Sequence, residues 1–267
     1  MNYKKYLSLI RIGIIESLSF RSAKLVIIFG NIMYLIFTFY LWRSIFASSE
    51  SNVVNGMTFN DTFIYLVLAT ALFNFMEIYA VWEMGRDIQS GKIVLNILKP
   101  IEYREFLFWS FSGDLIIHFV TTFLPTFLIV YFITFDHIHL GVNILRFMVS
   151  VIFAIIINFN IDFFVGTICF YTESIWGINI FKQVIVMLLS GVTIPIAFFP
   201  KPFKTIVKYL PFQSIYNTPL TILLNEDVDS HKVIILLAMQ LFWCLVTTVI
   251  VKLFWKCGIK KVTINGG

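Results

Sequence analysis

The sequence predicts an all-α membrane protein with six transmembrane helices, and three observations carry that prediction. Of its 267 residues, 59% are hydrophobic and only 13% are charged, against about 25% charged in soluble domains. Mean hydropathy is +0.88. A soluble fold could not hide that much apolar surface. Six apolar stretches each reach the roughly 20 residues that a bilayer-crossing helix needs. The basic residues flank these stretches, so the net charge of +5 reads as membrane orientation rather than affinity for nucleic acid.

The expected spans are Leu25–Phe46, Phe59–Met84, Phe108–Phe135, Ile144–Tyr171, Ile180–Phe199 and Val233–Trp255. The fifth is interrupted by Pro195 and Pro200. With the N-terminus inside, the cytoplasmic segments hold Lys4, Lys5, Arg11, Arg21, Lys24, Arg86, Lys92, Lys99, Arg104, Lys182, Lys252, Lys256, Lys260 and Lys261. The outer segments hold Arg43, Arg146, Lys201, Lys204, Lys208 and Lys232, six against fourteen. Both termini are therefore expected in the cytoplasm. The opening residues lack a continuous apolar core and a small-residue cleavage site, so no signal peptide is expected.

Three segments lie outside the spans. Residues 1–24 are expected to form an interfacial amphipathic helix, with Tyr3, Leu7, Ile10, Ile14 and Leu18 on one stripe and Lys4, Ser8 and Arg11 away from it. Residues 25–267 then make one six-span domain. Residues 85–105 form a polar cytoplasmic loop. The outer region, about 195–230, carries Pro200, Pro202, Pro211 and Pro219, yet Ile206–Leu224 is too apolar for a free loop. It reads as short re-entrant or interfacial helices against the bundle, with Asn225–Ser230 as the wet turn.

Chemistry-bearing motifs are sparse. Gly85–Lys92 is the nearest approach to a P-loop, but five residues separate Gly85 from Gly91, and Ile93 stands where Ser or Thr should bind magnesium. ATP-driven work would need another chain. Asp136, His137 and His139 could ligate a metal or form a solvated turn, and the turn is favoured. His118 and His231 have no partner at a useful spacing. Asn60-Asp61-Thr62 fits a weak glycosylation sequon. The three cysteines, Cys169, Cys244 and Cys257, show no metal or redox spacing. Glu77, Asp114 and Asp162 lie inside spans, where each costs a few kcal/mol unless paired or wet. Glu77 and Asp114 can reach the interface or loop cations. Asp162, near Asn158 and Asn160, faces either the bundle interior or a water-filled path. With no basic partners expected on other spans, the three make a poor proton relay.

The loop after the second span is the most specific signal. It reads Trp82-Glu83-Met84-Gly85-Arg86-Asp87-Ile88-Gln89-Ser90-Gly91-Lys92 and continues to Leu98-Lys99-Pro100-Ile101-Glu102-Tyr103. A short amphipathic helix with mixed charge and Ile88, Ile93 and Leu95 as apolar anchors suits docking of a soluble partner. An ordinary positive-inside loop is the alternative. The run Trp-Glu, Asp-Ile-x-Ser-Gly, Leu-Lys-Pro resembles permease subunits of ABC-2-type ABC transporters, in the six-span branch formerly labelled a domain of unknown function. Phe170-Tyr171-Thr172-Glu173, Trp176-Gly177, Gly191, Ile194-Pro195, Phe199-Pro200, Leu210-Pro211-Phe212, Pro219 and Leu41-Trp42-Arg43-Ser44-Ile45-Phe46 agree with it.

That resemblance implies a coupling helix over about Arg86–Lys99, seated in an ATP-binding subunit. Glu83, Arg86, Asp87, Ser90, Gly91, Lys99 and Pro100 would serve it, and Glu173 and Trp176 would add a second cytoplasmic contact. Asp162, Gly191, Pro195, Phe199, Pro200, Pro211 and Phe212 would line the pathway or its outer gate. It implies a transport subunit rather than an enzyme, with ATP and magnesium on the partner chain and no cofactor on this one. A second permease subunit, identical or homologous, would complete the assembly in the lipid bilayer. Thirty Phe residues favour an amphiphilic cargo: a drug-like compound, an antimicrobial peptide or a lipid-linked molecule. A secondary transporter or channel is the alternative. Abundant Ile, Phe, Asn and Lys with few Ala suggest an AT-rich bacterial genome and the cell membrane.

Overall fold

The computed structural model describes residues 3–19, 21–49, 52–134, 141–172, 175–224 and 229–261, with residues 21–25 and 27 described by their backbone alone. Their architecture is helical apart from one two-stranded hairpin. The helices are α1 (Tyr3–Ser19), α2 (Arg21–Ala47), α3 (Phe59–Phe75), α4 (Ala80–Gln89), α5 (Lys92–Ile97) and α6 (Tyr103–His118). They continue with α7 (Leu124–Ile133), α8 (Val142–Ile168), α9 (Ile175–Leu189), α10 (Lys201–Tyr209), α11 (Asn217–Leu224) and α12 (Ser230–Gly258).

Among the described residues five helical stretches are long and apolar enough to cross a membrane: Ile28–Ala47, Phe59–Gln89, Tyr103–Ile133, Val142–Ile168 and Ser230–Lys261. The expected fifth span differs. Its helix, α9, has 15 residues, about 22 Å at 1.5 Å per residue, short of a hydrocarbon core of roughly 30 Å. It begins before Ile180 and stops at Leu189. Gly191 takes a left-handed turn with φ of 84°, and Pro195, which has no N–H to give a helix, opens a 3-10 turn over Ile196–Phe198.

The second span is also not one rod. Helical backbone stops at Phe75 and resumes at Ala80, leaving Met76–Tyr79 unwound. No Pro or Gly lies there. Asn158 Nδ2 donates to the Met76 carbonyl at 2.8 Å, and His118 Nδ1 lies 3.2 Å from the Asn74 carbonyl. Carbonyls released by the break are thus satisfied from neighbouring helices, as a low-dielectric setting demands. In the third span Pro125 would break the helix at its own position. A π-helical turn over Phe119–Phe123 precedes it and absorbs the defect.

α1 packs along α6 with a face different from the expected stripe. Tyr3, Leu7 and Leu18 are exposed, whereas Gly13 and Ser17 are buried. A Cβ on Gly13 would overlap the Ser110 carbonyl, and one on Gly113 would overlap the Ile10 carbonyl. Small residues let the two backbones touch, and counting large apolar residues does not find them. Tyr6 donates to Glu105 at 3.0 Å and its ring lies 5.2 Å from that of Trp109. The bond to Glu105 raises the Tyr6 phenol above its ordinary range.

On the other side of the bundle, Asn55 and Gly56, both with positive φ, turn the hairpin of β1 (Val53–Val54) and β2 (Met57–Thr58). Thr58 and Asp61 then form a capping box for α3. Thr62, of the sequon, is buried and bonds the Thr58 carbonyl. The segment from Lys201 to Leu224 forms short helices resting against the bundle, with Val207, Ile215, Tyr216, Leu220 and Leu223 buried. Gln240 of α12 holds it, accepting from Ser150 Oγ at 2.8 Å and donating to the carbonyls of Ser150 at 3.2 Å and Ser214 at 2.8 Å.

Candidate functional site

Two places concentrate polar chemistry: the hairpin after the second span and the break within that span. In the hairpin, α4 ends at Ser90, whose N–H and hydroxyl both return to the Arg86 carbonyl, at 2.9 and 2.7 Å. Gly91 turns the chain with φ of 72°, a conformation that favours glycine. α5 then folds back.

Asp87 is 6% exposed and closes the hairpin. Its Oδ2 accepts from Asn96 Nδ2 at 2.6 Å and from the Tyr103 hydroxyl at 2.7 Å. One carboxylate therefore ties α4 to α5 and to the first turn of α6, by hydrogen bonds to a charged acceptor. Its geometry is that of a positioning residue.

The other coupling candidates spread over several surroundings. Arg86 pairs with Glu83 along the exposed side of α4. Lys99 folds its ammonium over the Phe106 ring at 3.9 Å, and the Pro100 carbonyl accepts from Lys5 at 3.4 Å. Trp176, in the first turn of α9, is 66% exposed. Glu173, like Asp136, His137 and His139, lies outside the described residues. Of the expected apolar anchors, Ile93 is buried and Ile88 half-buried. Leu95, at 67%, and Leu98, at 77%, are the large apolar side chains the hairpin exposes. Only Leu95 belonged to the expected set. Behind the tip, α4 is fixed by close approaches: a Cβ on Gly85 would lie 2.5 Å from Ile175, and one on Gly166 would lie 2.6 Å from Met84.

The break holds the second cluster. Around a cavity of about 30 Å³ stand Glu77, Asn158, Asp162, Asn179, Lys182 and Gln183, with Phe73, Tyr79, Trp82 and Tyr216. Asp162 is 1% exposed, and Lys182 donates to its Oδ1 at 2.8 Å. This corrects two expectations. Lys182 is not a loop cation, because α9 begins five residues before Ile180 and carries it into the bundle. Asp162 does have a basic partner on another helix. Asp114 is likewise paired, 3.4 Å from His118 Nε2 one turn on, so His118 is not without a partner. Arg104 is drawn inward too, donating to Asn160 at 2.6 Å, while Asn160 donates to Thr247 at 2.9 Å and Thr248 at 3.0 Å.

The pathway candidates divide between the outer turn and an apolar groove. Gly191 packs against Tyr65 and Ile196, where a Cβ would lie 2.8 Å from the Tyr65 hydroxyl. Pro195 borders an open depression with Tyr65, Asp61 and Asn217, and Tyr65 donates to Asn217 at 3.2 Å. The Phe199 ring packs on Phe203 at 5.2 Å, and Pro200 precedes α10. Pro211 and Phe212 border a groove between α8, α9 and α12, with Phe164, Phe181 and Trp243. Asp162 lies with neither group; it faces the break.

Among the described residues no three His, Cys, Asp or Glu side chains converge as metal ligands. A search of curated proteins gives no match. A family model described as "ABC-2 family transporter protein" matches residues 32–266, nearly the whole chain. With its long apolar helices, the chain belongs to that family, as a multi-pass membrane component of an ABC transporter.

Proposed function

We propose that the chain is a permease subunit of an ATP-driven exporter in a bacterial cell membrane, pairing with a second permease subunit and with cytoplasmic ATP-binding subunits. Both termini face the cytoplasm in this reading. Setting aside Arg104 and Lys182, which are internal, leaves twelve cytoplasmic cations, fourteen less two, against six outside. α9 with the turn that follows it serves as the short fifth span. No cofactor binds this chain; ATP and magnesium belong to the partner. The cargo is amphiphilic, in keeping with the apolar groove beside Phe212 and Trp243.

The observation that carries the reading is the asymmetry of the hairpin. Its tip offers Leu95 and Leu98, while its base is locked by Asp87 and by the glycine contacts of α4. An apolar tip on a rigid base suits a groove in a soluble partner. ATP binding would close the partner dimer and displace the tip. The energy enters as different stabilities of two arrangements, not as chemistry on this chain.

The test is a pull-down from the native host in mild detergent, with mass spectrometry and an ATPase assay on the eluate. A P-loop subunit should co-purify with wild type and be lost with the double variant Leu95→Asp, Leu98→Asp, whose melting temperature stays unchanged. The same gel shows one permease band or two. Recovery of no ATPase with wild type sinks the exporter reading. A carrier without an ATPase would find support in the buried Asp162–Lys182 pair; it predicts transport that fails with Asp162→Asn and tolerates the hairpin variants.

A further inference from the structure

We propose that the cavity at the break of the second span binds one small monovalent cation between Asp162 and Glu77. Four features of the cavity converge on that ligand class. Asp162 gives Oδ1 to Lys182, but its Oδ2 is buried with no hydrogen-bond partner, and the residue lines the cavity. A buried carboxylate oxygen without a donor is costly and marks a missing partner. Two carboxylates, Glu77 and Asp162, face one ammonium, Lys182, so with both acids ionised the cluster carries one uncompensated negative charge. Asp114 and His118, the nearest further charged groups, already face each other.

The remaining lining supplies hard oxygens: the amides of Asn158, Asn179 and Gln183 and the hydroxyl of Tyr79. Unwound backbone beside such side chains is how alkali ions are held inside membranes, and all-oxygen sets select hard cations. Two carboxylates offset by a lysine are too little charge for a divalent ion. A volume of about 30 Å³ admits one or two water-sized particles, which fits Na⁺, K⁺ or a bare ammonium head and excludes larger cations. Filling the site would tie α8 and α9 to the unwound Met76–Tyr79 segment.

The experiment measures thermal unfolding of the purified full chain in detergent as NaCl, KCl or methylammonium chloride replaces N-methylglucamine chloride at constant ionic strength. Wild type should show a saturable rise of roughly 3 °C at tenfold the dissociation constant. A response to Na⁺ or K⁺ identifies an alkali-ion site; a response to methylammonium alone identifies a site for ammonium heads. Both uphold the proposal. Asp162→Asn and Glu77→Gln should remove the dependence. Lys182→Met supplies the decisive sign: without its ammonium the site gains negative charge, so cation affinity should rise at least about tenfold, although the variant is less stable in N-methylglucamine. Should a variant fail to fold, binding of radioactive Na⁺ to wild type, competed by each cation, decides. Equal curves in all salts overturn the proposal. So does a cation dependence that Lys182→Met abolishes as Asp162→Asn does.

Discussion

Asp87→Ala separates a hairpin held from within from one that merely displays a charge. The substitution removes the acceptor of two short hydrogen bonds, from Asn96 at 2.6 Å and Tyr103 at 2.7 Å. Each hydrogen bond to a charged group contributes about 1.5–3 kcal/mol. Asn96 is half-exposed and can turn to water, so its share lies at the low end. Tyr103 is buried against Phe163 and Trp255 and keeps an unsatisfied hydroxyl. The local cost is therefore about 3 kcal/mol, or roughly 150-fold in the opening of the hairpin. Asp87→Asn should cost only about 1 kcal/mol, because its amide oxygen still accepts from Tyr103 while the Asn96 amide turns to receive its N–H. Amide hydrogen exchange over α5 gives the readout: protection falls about 150-fold in the alanine variant and about fivefold in the asparagine variant. Adding Tyr103→Phe to Asp87→Ala should restore part of the protection, since it removes the stranded hydroxyl. Unchanged α5 protection in Asp87→Ala, or an asparagine variant as damaged as the alanine, would refute the argument.

Gln240→Leu should lower the melting temperature and expose the Lys201–Leu224 segment to protease, since three hydrogen bonds disappear and two buried carbonyls lose a donor; about 2 kcal/mol is expected. Gly113→Ala should force α1 from α6, at about 1–3 kcal/mol for overpacking against backbone, read as a lower melting temperature and faster proteolysis of α1. Asn158→Val should cost about 2 kcal/mol by stranding the Met76 carbonyl, read as increased thiol labelling of a cysteine placed at position 78.

The long spans were legible because about twenty apolar residues between charges admit few other structures. What the sequence hid has a common physical form. The break at Met76–Tyr79 is written in Asn158 and His118, which lie 82 and 44 residues from the carbonyls they satisfy. Local propensity carries no trace of them. Lys182 looked like a loop charge because a charged residue near a span boundary is ordinarily solvated; only the length of α9 places it opposite Asp162. The packed face of α1 escaped because Gly13 and Ser17 add nothing to an apolar stripe. By contrast Gly191 and Pro195, which turn the chain after α9, and Asn55-Gly56, which turns the hairpin, act through local conformational preference that the sequence displays. In the hairpin, spacing located the segment but not its orientation: Ile93 turned inward and Leu98 outward because Asp87 fixes the rotation of α5.

The break changes how force can pass through the second span. A continuous helix would carry displacement of the hairpin straight to α3 through unbroken i to i−4 bonds. Here that ladder is interrupted between Met76, whose N–H still bonds the Leu72 carbonyl, and Tyr79, whose carbonyl accepts from Glu83, while α4 meets α8 through Met84 on Gly166 and α9 through Gly85 on Ile175. α3 instead packs on the outer elements, with Tyr65 bonded to Asn217 and against Gly191. The stiff path from the hairpin therefore leads sideways into α8 and α9, and the same two helices carry Asp162 and Lys182 at the break. Within the exporter reading, movement of the tip first loads that ion pair and its cavity and reaches the outer turn through α9, which ends at Gly191. The groove bounded by α8, α9 and α12 lies along this route, so its width changes with the tilt of α9 and an amphiphile seated there would feel the stroke directly. That ordering follows from where the backbone is continuous and where it is not.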